Sequence, residues 1–469
     1  MPRRPTPHEA AAGAPATVAP PAPQGDRAPS GATAAGRALA HPALLWAAFV
    51  VVHVVVAWLD LRDGAQPMGD VVNVYAGWMR EGLAGEGWVG VDTAWVYPLL
   101  AAVPMLLSRL AGPEHVGVTW LVLVTVLDLV AFAVLRRTAP DRSGAAWAWT
   151  AFVLLLGPIA LGRIDAVTVA LGVAGVLLLA TRPALAGTLL AVGAWVKVWP
   201  AALVVAALVA GWRGLRGQHP GSAGAARRDA GAGGAVRPRV LVAAAATSAV
   251  VVAVSLALGS GWTVLGPLTE QAGRGLQIEA PLATLAMWRA ALGAAGSSVA
   301  FDHDIITFQV TGDGVATTAR LATPLMALVV AGVVLLGVRA LRGGASAAAL
   351  LPPLVLGLVA ALLVTNKVGS PQFTAWFAVP LVLGLVLARR GGPSPVAPTV
   401  LVLATAALTQ VVYPWGYDAL VLLRPWALSV LTVRNALEAA LLVVAAVQLW
   451  RAGTVGVGRR AGARTTLVA

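Results

Sequence analysis

The stretch "MGDVVNVYAGWMREG" (68–82) places Asp70, Asn73, Tyr75, Trp78, Arg80 and Glu81 just beyond the first strongly apolar run of the chain. A carboxylate at such a place can act as a general base, taking the proton of an attacking hydroxyl. The plain structural alternative is a helix N-cap, because Asp70 precedes a stretch with Val74, Trp78 and Met79 on one side. On this motif alone the cap is the better reading. Asp60 and Asp63 compete for the same chemistry and read as residues that end the first apolar run.

"LGRIDAVTVALGV" sets Arg163 and Asp165 between two apolar runs with hardly a loop between them. Ionisable groups this close to hydrocarbon are costly and often functional. A local Arg–Asp pair at a helix end is the equal alternative. Lys197 and Lys367 are the only lysines, and each follows a long apolar run. Either alone reads as a snorkelling lysine; together with Arg163 and Arg274 they suit a lipid phosphate. "GRGLQIEAPLATLAMW" carries Arg274, Gln277 and Glu279 ahead of an amphipathic stretch. A capped interfacial helix accounts for Glu279, but not for Arg274 and Gln277. "FDHDIITFQVTGDG" brings Asp302, His303 and Asp304 together, a weak metal signal, and reads better as a surface hairpin ending in "TGDG". Asp128, and Arg434 with Glu438, lie inside apolar runs and read as helix-packing contacts. The chain has no Walker loop, Rossmann fingerprint or HExxH motif, so nothing points to a cytoplasmic nucleotide site.

The elements that must position these residues are apolar. Of the 469 residues, 58% are hydrophobic and only 11% charged, against about 25% charged in soluble domains. The mean hydropathy is +0.81. Apolar runs near helix-span length recur along the chain, as in a polytopic helical membrane protein. The net charge of +13 comes from arginines between those runs, which suits the positive-inside rule rather than a nucleic-acid partner. There is no cysteine, hence no disulfide framework and no thiolate metal site. Residues 1–40, rich in Ala, Pro and Gly, read as a disordered cytoplasmic tail rather than a signal peptide.

Twelve spans are expected, at about 42–60, 116–135, 144–161, 165–180, 184–198, 199–212, 240–259, 316–339, 347–365, 373–388, 398–413 and 428–449. The two around Lys197 are short enough to be half-crossing helices. Residues 97–112 are assigned to the membrane interface, because a span there would carry "LRRTAPDRSG" to the outer face. The arginine-rich segments 136–142 and 213–239, and both tails, are then cytoplasmic, including the basic 453–469, while 61–115 and 260–315 are outside. The outer loops are sparse in charge but collect Asp, Glu, Gln, Asn, Trp and Tyr, as a cavity would. No internal repeat is evident.

Taken in order, "GDVVNVYAGWMREGL" with "WVYPLLA", "GRIDAVTVALGVAGVLLLATRPALAGTLLAVGAWVKVWPAAL", "GRGLQIEAPLAT" and "NKVGSPQFTAWFAVPLVL" resemble glycosyltransferase family 87, membrane enzymes of the GT-C fold that use polyprenyl-phosphate mannose. The resemblance runs from the first span to about residue 388. It implies an all-α GT-C domain over 41–452, with an extended first outer loop carrying interfacial helices and the catalytic acid, a role that falls on Asp70. It also implies transfer of a hexose, mannose in that family, to a lipid or glycan acceptor at the outer face of the plasma membrane. Tyr75 and Trp78 would shape or stack on the sugar, and Tyr97, Arg163, Asp165, Lys197, Arg274, Gln277, Glu279, Lys367 and Gln372 would complete the substrate site. No resident cofactor is implied, since the polyprenyl-phosphate sugar is a substrate; a divalent metal is left open. The rival class is a lipid or sugar transporter or flippase, which would show repeated halves and helices broken at mid-membrane. A structural or assembly protein is the third reading.

Overall fold

The computed structural model describes residues 38–62, 67–210 and 236–465, apart from the side chains of 271–272 and 455–465. Most of the expected N-terminal tail, Asp63, and the loop arginines 213, 216, 227 and 228 lie outside the described residues, as do the side chains of Arg459, Arg460 and Arg464.

The chain runs through α1 (Pro42–Arg62), a π-helical turn (Asp70–Tyr75) continuing into α2 (Ala76–Ala84), and α3 (Ala102–Leu107). Next come α4 (Val116–Thr138), α5 (Ser143–Leu156), α6 (Ile164–Leu178), α7 (Pro183–Val196), α8 (Ala201–Ala210) and α9 (Val236–Ala257). An outer layer follows, with α10 (Gly266–Ala272), α11 (Thr284–Ala291), β1 (Ser298–Asp302) and β2 (Thr307–Thr311). The chain then re-enters the bundle as α12 (Val315–Arg342), α13 (Ala347–Val364), α14 (Ala378–Ala388) and α15 (Val396–Gln410). It ends with the short α16 (Tyr417–Val421) and the long α17 (Pro425–Thr465). The structure is 76% helical, and nine of its helices among the described residues, counted with their 3-10 or π extensions, are long and apolar enough to cross a bilayer. This is an all-α polytopic membrane protein.

Two of the twelve expected spans are too short to cross alone, α6 and α7, with 15 and 14 residues; α8 is described over 10 residues, up to the undescribed 211–235. At 1.5 Å per residue α6 and α7 reach about 22 and 21 Å, against a hydrocarbon core of about 30 Å. Local sequence sets the breaks. Gly157, at φ +65°, turns the chain out of α5, in a place where a Cβ would lie 2.1 Å from Gln410 Nε2. Pro183 opens α7, and the "KVWP" turn separates α7 from α8. Residues 97–112 form a 3-10 turn and the six-residue α3, not a span.

Contacts between neighbouring chain ends define one end of the bundle. Trp147 Nε1 donates to the Leu39 carbonyl (2.9 Å), Arg237 to that of Val209 (2.8 Å), Arg339 to that of Trp450 (3.1 Å) and Gln448 to that of Ser394 (3.1 Å). Arg339 and Arg342 close α12 at this end, and Arg389 and Arg390 follow α14 there. The mixed acid–base cluster lies at the opposite end.

That cluster is recessed. The lower part of α7 meets α9 where Gly187 abuts Val240, and its upper part where Trp195 Nε1 donates to Ser248 Oγ (3.0 Å). From Ser248, α9 continues to Ala257, a further rise of about 14 Å. Lys197, just past α7, therefore sits well below the rim. The rim is built by the segment between α2 and α3 and the segment after α9: Thr263 Oγ1 donates to the Val91 carbonyl (2.9 Å), and Gly266 lies against the Trp95 backbone.

The hairpin and its neighbours form a cap with a core of its own. β1 and β2 pair antiparallel with Phe301 opposite Phe308, and Val310 N donates to the Leu276 carbonyl (3.0 Å), which docks 276–278 alongside β2. Leu276, Ile278, Met287 and Val310 pack there with Leu420, Leu428 and Leu431. Inside the bundle, Asp128 of α4 meets His53 of α1 at 3.1 Å, both buried.

Candidate functional site

Asp70 opens the π turn, and its carboxylate caps nothing. It forms an ion pair with Arg163 instead, Nε to Oδ2 at 3.1 Å, and keeps 35% of its side chain exposed. The N-cap alternative thus gives way to a long-range pair. The local Arg163–Asp165 pair does not form either. Arg163 is extended (φ −146°, ψ 160°) while Asp165 lies in the first turn of α6, so the two side chains diverge.

Arg163 is buried; both Nη nitrogens are hydrogen-bonded, while Nε has only the ion pair with Asp70. Nη1 donates to the carbonyls of Gly162 (2.9 Å) and Pro67, and Nη2 donates to the Tyr413 hydroxyl at 2.9 Å. Burial alone would lower its pKa; the charges of Asp70, Tyr413 and Tyr75 outweigh it and raise the pKa, so the group stays cationic.

Asp165 is fully buried and accepts two hydrogen bonds, from Lys197 Nζ (2.7 Å) and from Trp376 Nε1 (2.5 Å). Trp376 is fixed in turn by stacking on Trp199 (5.1 Å) and Phe373 (4.6 Å), and Trp199 Nε1 donates to Thr168 Oγ1. The Lys197 ammonium is caged by Phe373 at 4.7 Å and by Tyr97 at 5.7 Å, an arrangement that favours a cation. Burial pulls its pKa down, with Asp165 opposing. Lys197 is therefore already partnered.

The two remaining cations of the expected set lie together. Arg274 and Lys367 are close enough that the charge of Arg274 adds to burial in lowering Lys367. Burial also lowers Arg274 itself, against the pull of Tyr97, Glu270 and Asp302. A close backbone approach holds this corner. Gln277 N donates to the Lys367 carbonyl (3.0 Å), and Gly369 runs so near Ala280 N that a Cβ would lie 2.0 Å from it. Gln277 and Gln372 are both buried, and Ser370 Oγ donates to Gln372 Oε1.

Glu279 caps no helix. Its carboxylate faces Arg434 of α17 at 3.5 Å, and Arg434 also pairs with Glu438 at 3.0 Å. Burial pushes Glu279 up to about 7 despite Arg434. Tyr75 is buried with its ring against Trp78 (5.9 Å) and Trp120 (5.7 Å), so it is packed rather than presented; Trp78 and Tyr97 are only half-buried. Arg80 and Glu81 are exposed or nearly so.

All four tyrosines of the chain, Tyr75, Tyr97, Tyr413 and Tyr417, lie within electrostatic reach of both Asp70 and Arg163. Tyr413 and Trp376 were not singled out from sequence. The scarcity of tyrosine was the available signal for the first. Among the described residues, no three His, Cys, Asp or Glu side chains gather in a way that could hold a metal ion.

Fold and site together define a multi-pass membrane protein with a polar centre recessed into one end of its helix bundle. The chain matches no protein-family model, no curated protein and no solved structure.

Proposed function

We propose that this protein is an integral membrane glycosyltransferase. It moves a hexose, mannose by the resemblance to glycosyltransferase family 87, from a polyprenyl-phosphate donor to a lipid or glycan acceptor at the extracytoplasmic face. The acceptor hydroxyl attacks the anomeric carbon, Asp70 takes its proton, and the bond from that carbon to the phosphate oxygen breaks. The anomeric centre inverts and polyprenyl phosphate leaves as an anion, which needs cations more than a proton. Arg274 and Lys367 suit that phosphate, while Trp78 and Tyr97 suit the sugar face. The observation that carries the reading is Asp70 itself: a carboxylate with one oxygen held by a buried arginine and a third of its side chain open, in an otherwise apolar bundle.

The test is turnover by purified protein of a panel of polyprenyl-phosphate sugars with glycolipid acceptors. Asp70→Asn should bind donor and lose at least about a hundredfold in rate, the contribution of a positioned base. An Asp70→Asn protein that turns over at the native rate would remove the base.

One observation favours the transporter or flippase reading. The start of α6, the end of α7 and the start of α8 meet part-way through the bundle, as half-helices do around transported substrates. Proteoliposomes that move a lipid-linked sugar without consuming it would select that reading.

A further inference from the structure

Tyr413 sits where α15 leaves helical geometry (φ −137°, ψ 124°), 250 residues from Arg163, and its hydroxyl accepts a hydrogen bond from Arg163 Nη2. We infer that Tyr413 is a positioning residue for Asp70, acting through the Arg163 guanidinium; the inference rests on the reading of Asp70 as the base.

A guanidinium is planar, and its donors have fixed relative directions. The carbonyls of Gly162 and Pro67 hold Nη1. The edge of the fork formed by Nε and Nη2 would otherwise take a carboxylate with two parallel hydrogen bonds, the preferred geometry of such pairs. Here Nη2 is turned to Tyr413, and Asp70 meets the fork only as an ion pair from Oδ2 to Nε, without hydrogen-bond geometry. Among the described residues, Oδ1 has no hydrogen-bond or ion-pair partner to compete with an incoming hydroxyl. Without the Tyr413 hydroxyl, the guanidinium would rotate in its plane to present Nε and Nη2 together and engage both Asp70 oxygens, orienting the carboxylate but disabling it as a base. Tyr413 thus keeps a strong ion pair from becoming too strong.

Tyr413→Phe is the test, because it removes one oxygen and keeps the ring that packs edge-on against Tyr417 at 5.2 Å. Two readouts are taken. The Asp70 carboxylate stretch is isolated as the infrared difference between each protein and its Asp70→Asn counterpart, and should shift in Tyr413→Phe as one-point contact becomes two-point. In the turnover assay, kcat should fall about tenfold, the equivalent of about 1.4 kcal/mol, with the donor KM unchanged. An unshifted band overturns the inference whatever the kinetics, and so does a shifted band with native kcat. If the band shifts while wild-type protein turns over no donor, Tyr413 stands as the residue that orients Asp70 and the glycosyltransferase reading falls. Should Tyr413→Phe fail to fold, Arg163→Lys serves: one ammonium cannot hold four partners, and an unshifted band there overturns the inference too.

Discussion

Replacing Lys197 with methionine separates the two jobs open to that lysine: holding a substrate phosphate or balancing Asp165. The Nζ–Oδ2 distance is 2.7 Å, which at an effective dielectric constant of about 20 corresponds to roughly 6 kcal/mol of gross attraction. Burying both charges offsets much of that gain. Removing one partner leaves the other charged and dry, a loss of about 3–5 kcal/mol. Asp165 would retain only its hydrogen bond from Trp376 Nε1. Methionine is a fair test because its thioether can pack against Phe373 and Tyr97, so little of the loss would come from a cavity. The partner change is Asp165→Asn, whose amide oxygen still accepts from Trp376. Each single variant should unfold at lower SDS fraction in mixed micelles, and the double variant should recover most of the loss, with a coupling of about 3 kcal/mol. Strictly additive losses would refute the pairing. A Lys197→Met protein of native stability whose donor KM alone rises would return the lysine to the substrate.

Lys367→Met and Arg274→Gln should each raise the donor KM about tenfold, the rate equivalent of one charge-assisted contact, with smaller effects on kcat; unchanged KM in both removes the phosphate from this corner. The chain has no cysteine, so single cysteines at the exposed Gly144 and Ala295 should label from opposite sides of the membrane, and labelling of both from one side contradicts the assigned topology. Burial raises Glu279 from 4.5 to about 7. The stability it contributes is therefore complete below about pH 4.5 and is lost as pH rises through 7. Wild-type protein should weaken between about pH 5 and 8 by on the order of 3 kcal/mol, and Glu279→Gln should flatten that slope; an identical slope in the variant assigns the pH dependence to other groups.

Much of the site was legible because its members break a strong pattern. In a chain this apolar, a charge at the end of a long hydrophobic run stands out, and Asp70, Arg163, Asp165, Lys197 and Lys367 are such charges. Their pairing was not legible. Asp70 and Arg163 are far apart in sequence, as are Asp165 and Trp376, and only the folded bundle chooses such partners. Local reasoning offered Asp70 a cap and Arg163 its near neighbour Asp165, and tertiary contacts overrode both. Hydropathy found each apolar helix, including α6–α8, and already marked the two around Lys197 as short; Pro183 opens α7 and the Lys197–Pro200 turn ends it. Scarcity carried information that composition alone hides. Two lysines and four tyrosines, rare in this chain, all reach the polar end.

The short helices bear on the choice between enzyme and transporter. Part-crossing helices with charged ends at mid-depth suit either, because both must bring a polar group into the bundle. A transporter also needs a polar route onward to the other end. Beyond Asp165, α6 continues with Val169, Val173 and Leu177, all buried, and Thr168 spends its hydroxyl on the Asp165 carbonyl and on Trp199. The neighbouring faces of α7 and α8 present Ala186, Leu190, Leu203 and Ala206, buried and apolar as well. The buried polar pair His53–Asp128 lies between α1 and α4 instead, with His53 hydrogen-bonded to the Phe49 carbonyl and tilted against its ring. Among the described residues, the faces of α6–α8 below Asp165 are apolar, while further buried polar groups, Asp60 against Gly162 and the His53–Asp128 pair, lie on α1 and α4. An apolar stretch beneath α6–α8 fits the proposed transferase, whose substrates would enter and leave by the same face. Transport through this bundle would require α6–α8 to come apart along their most completely buried surfaces.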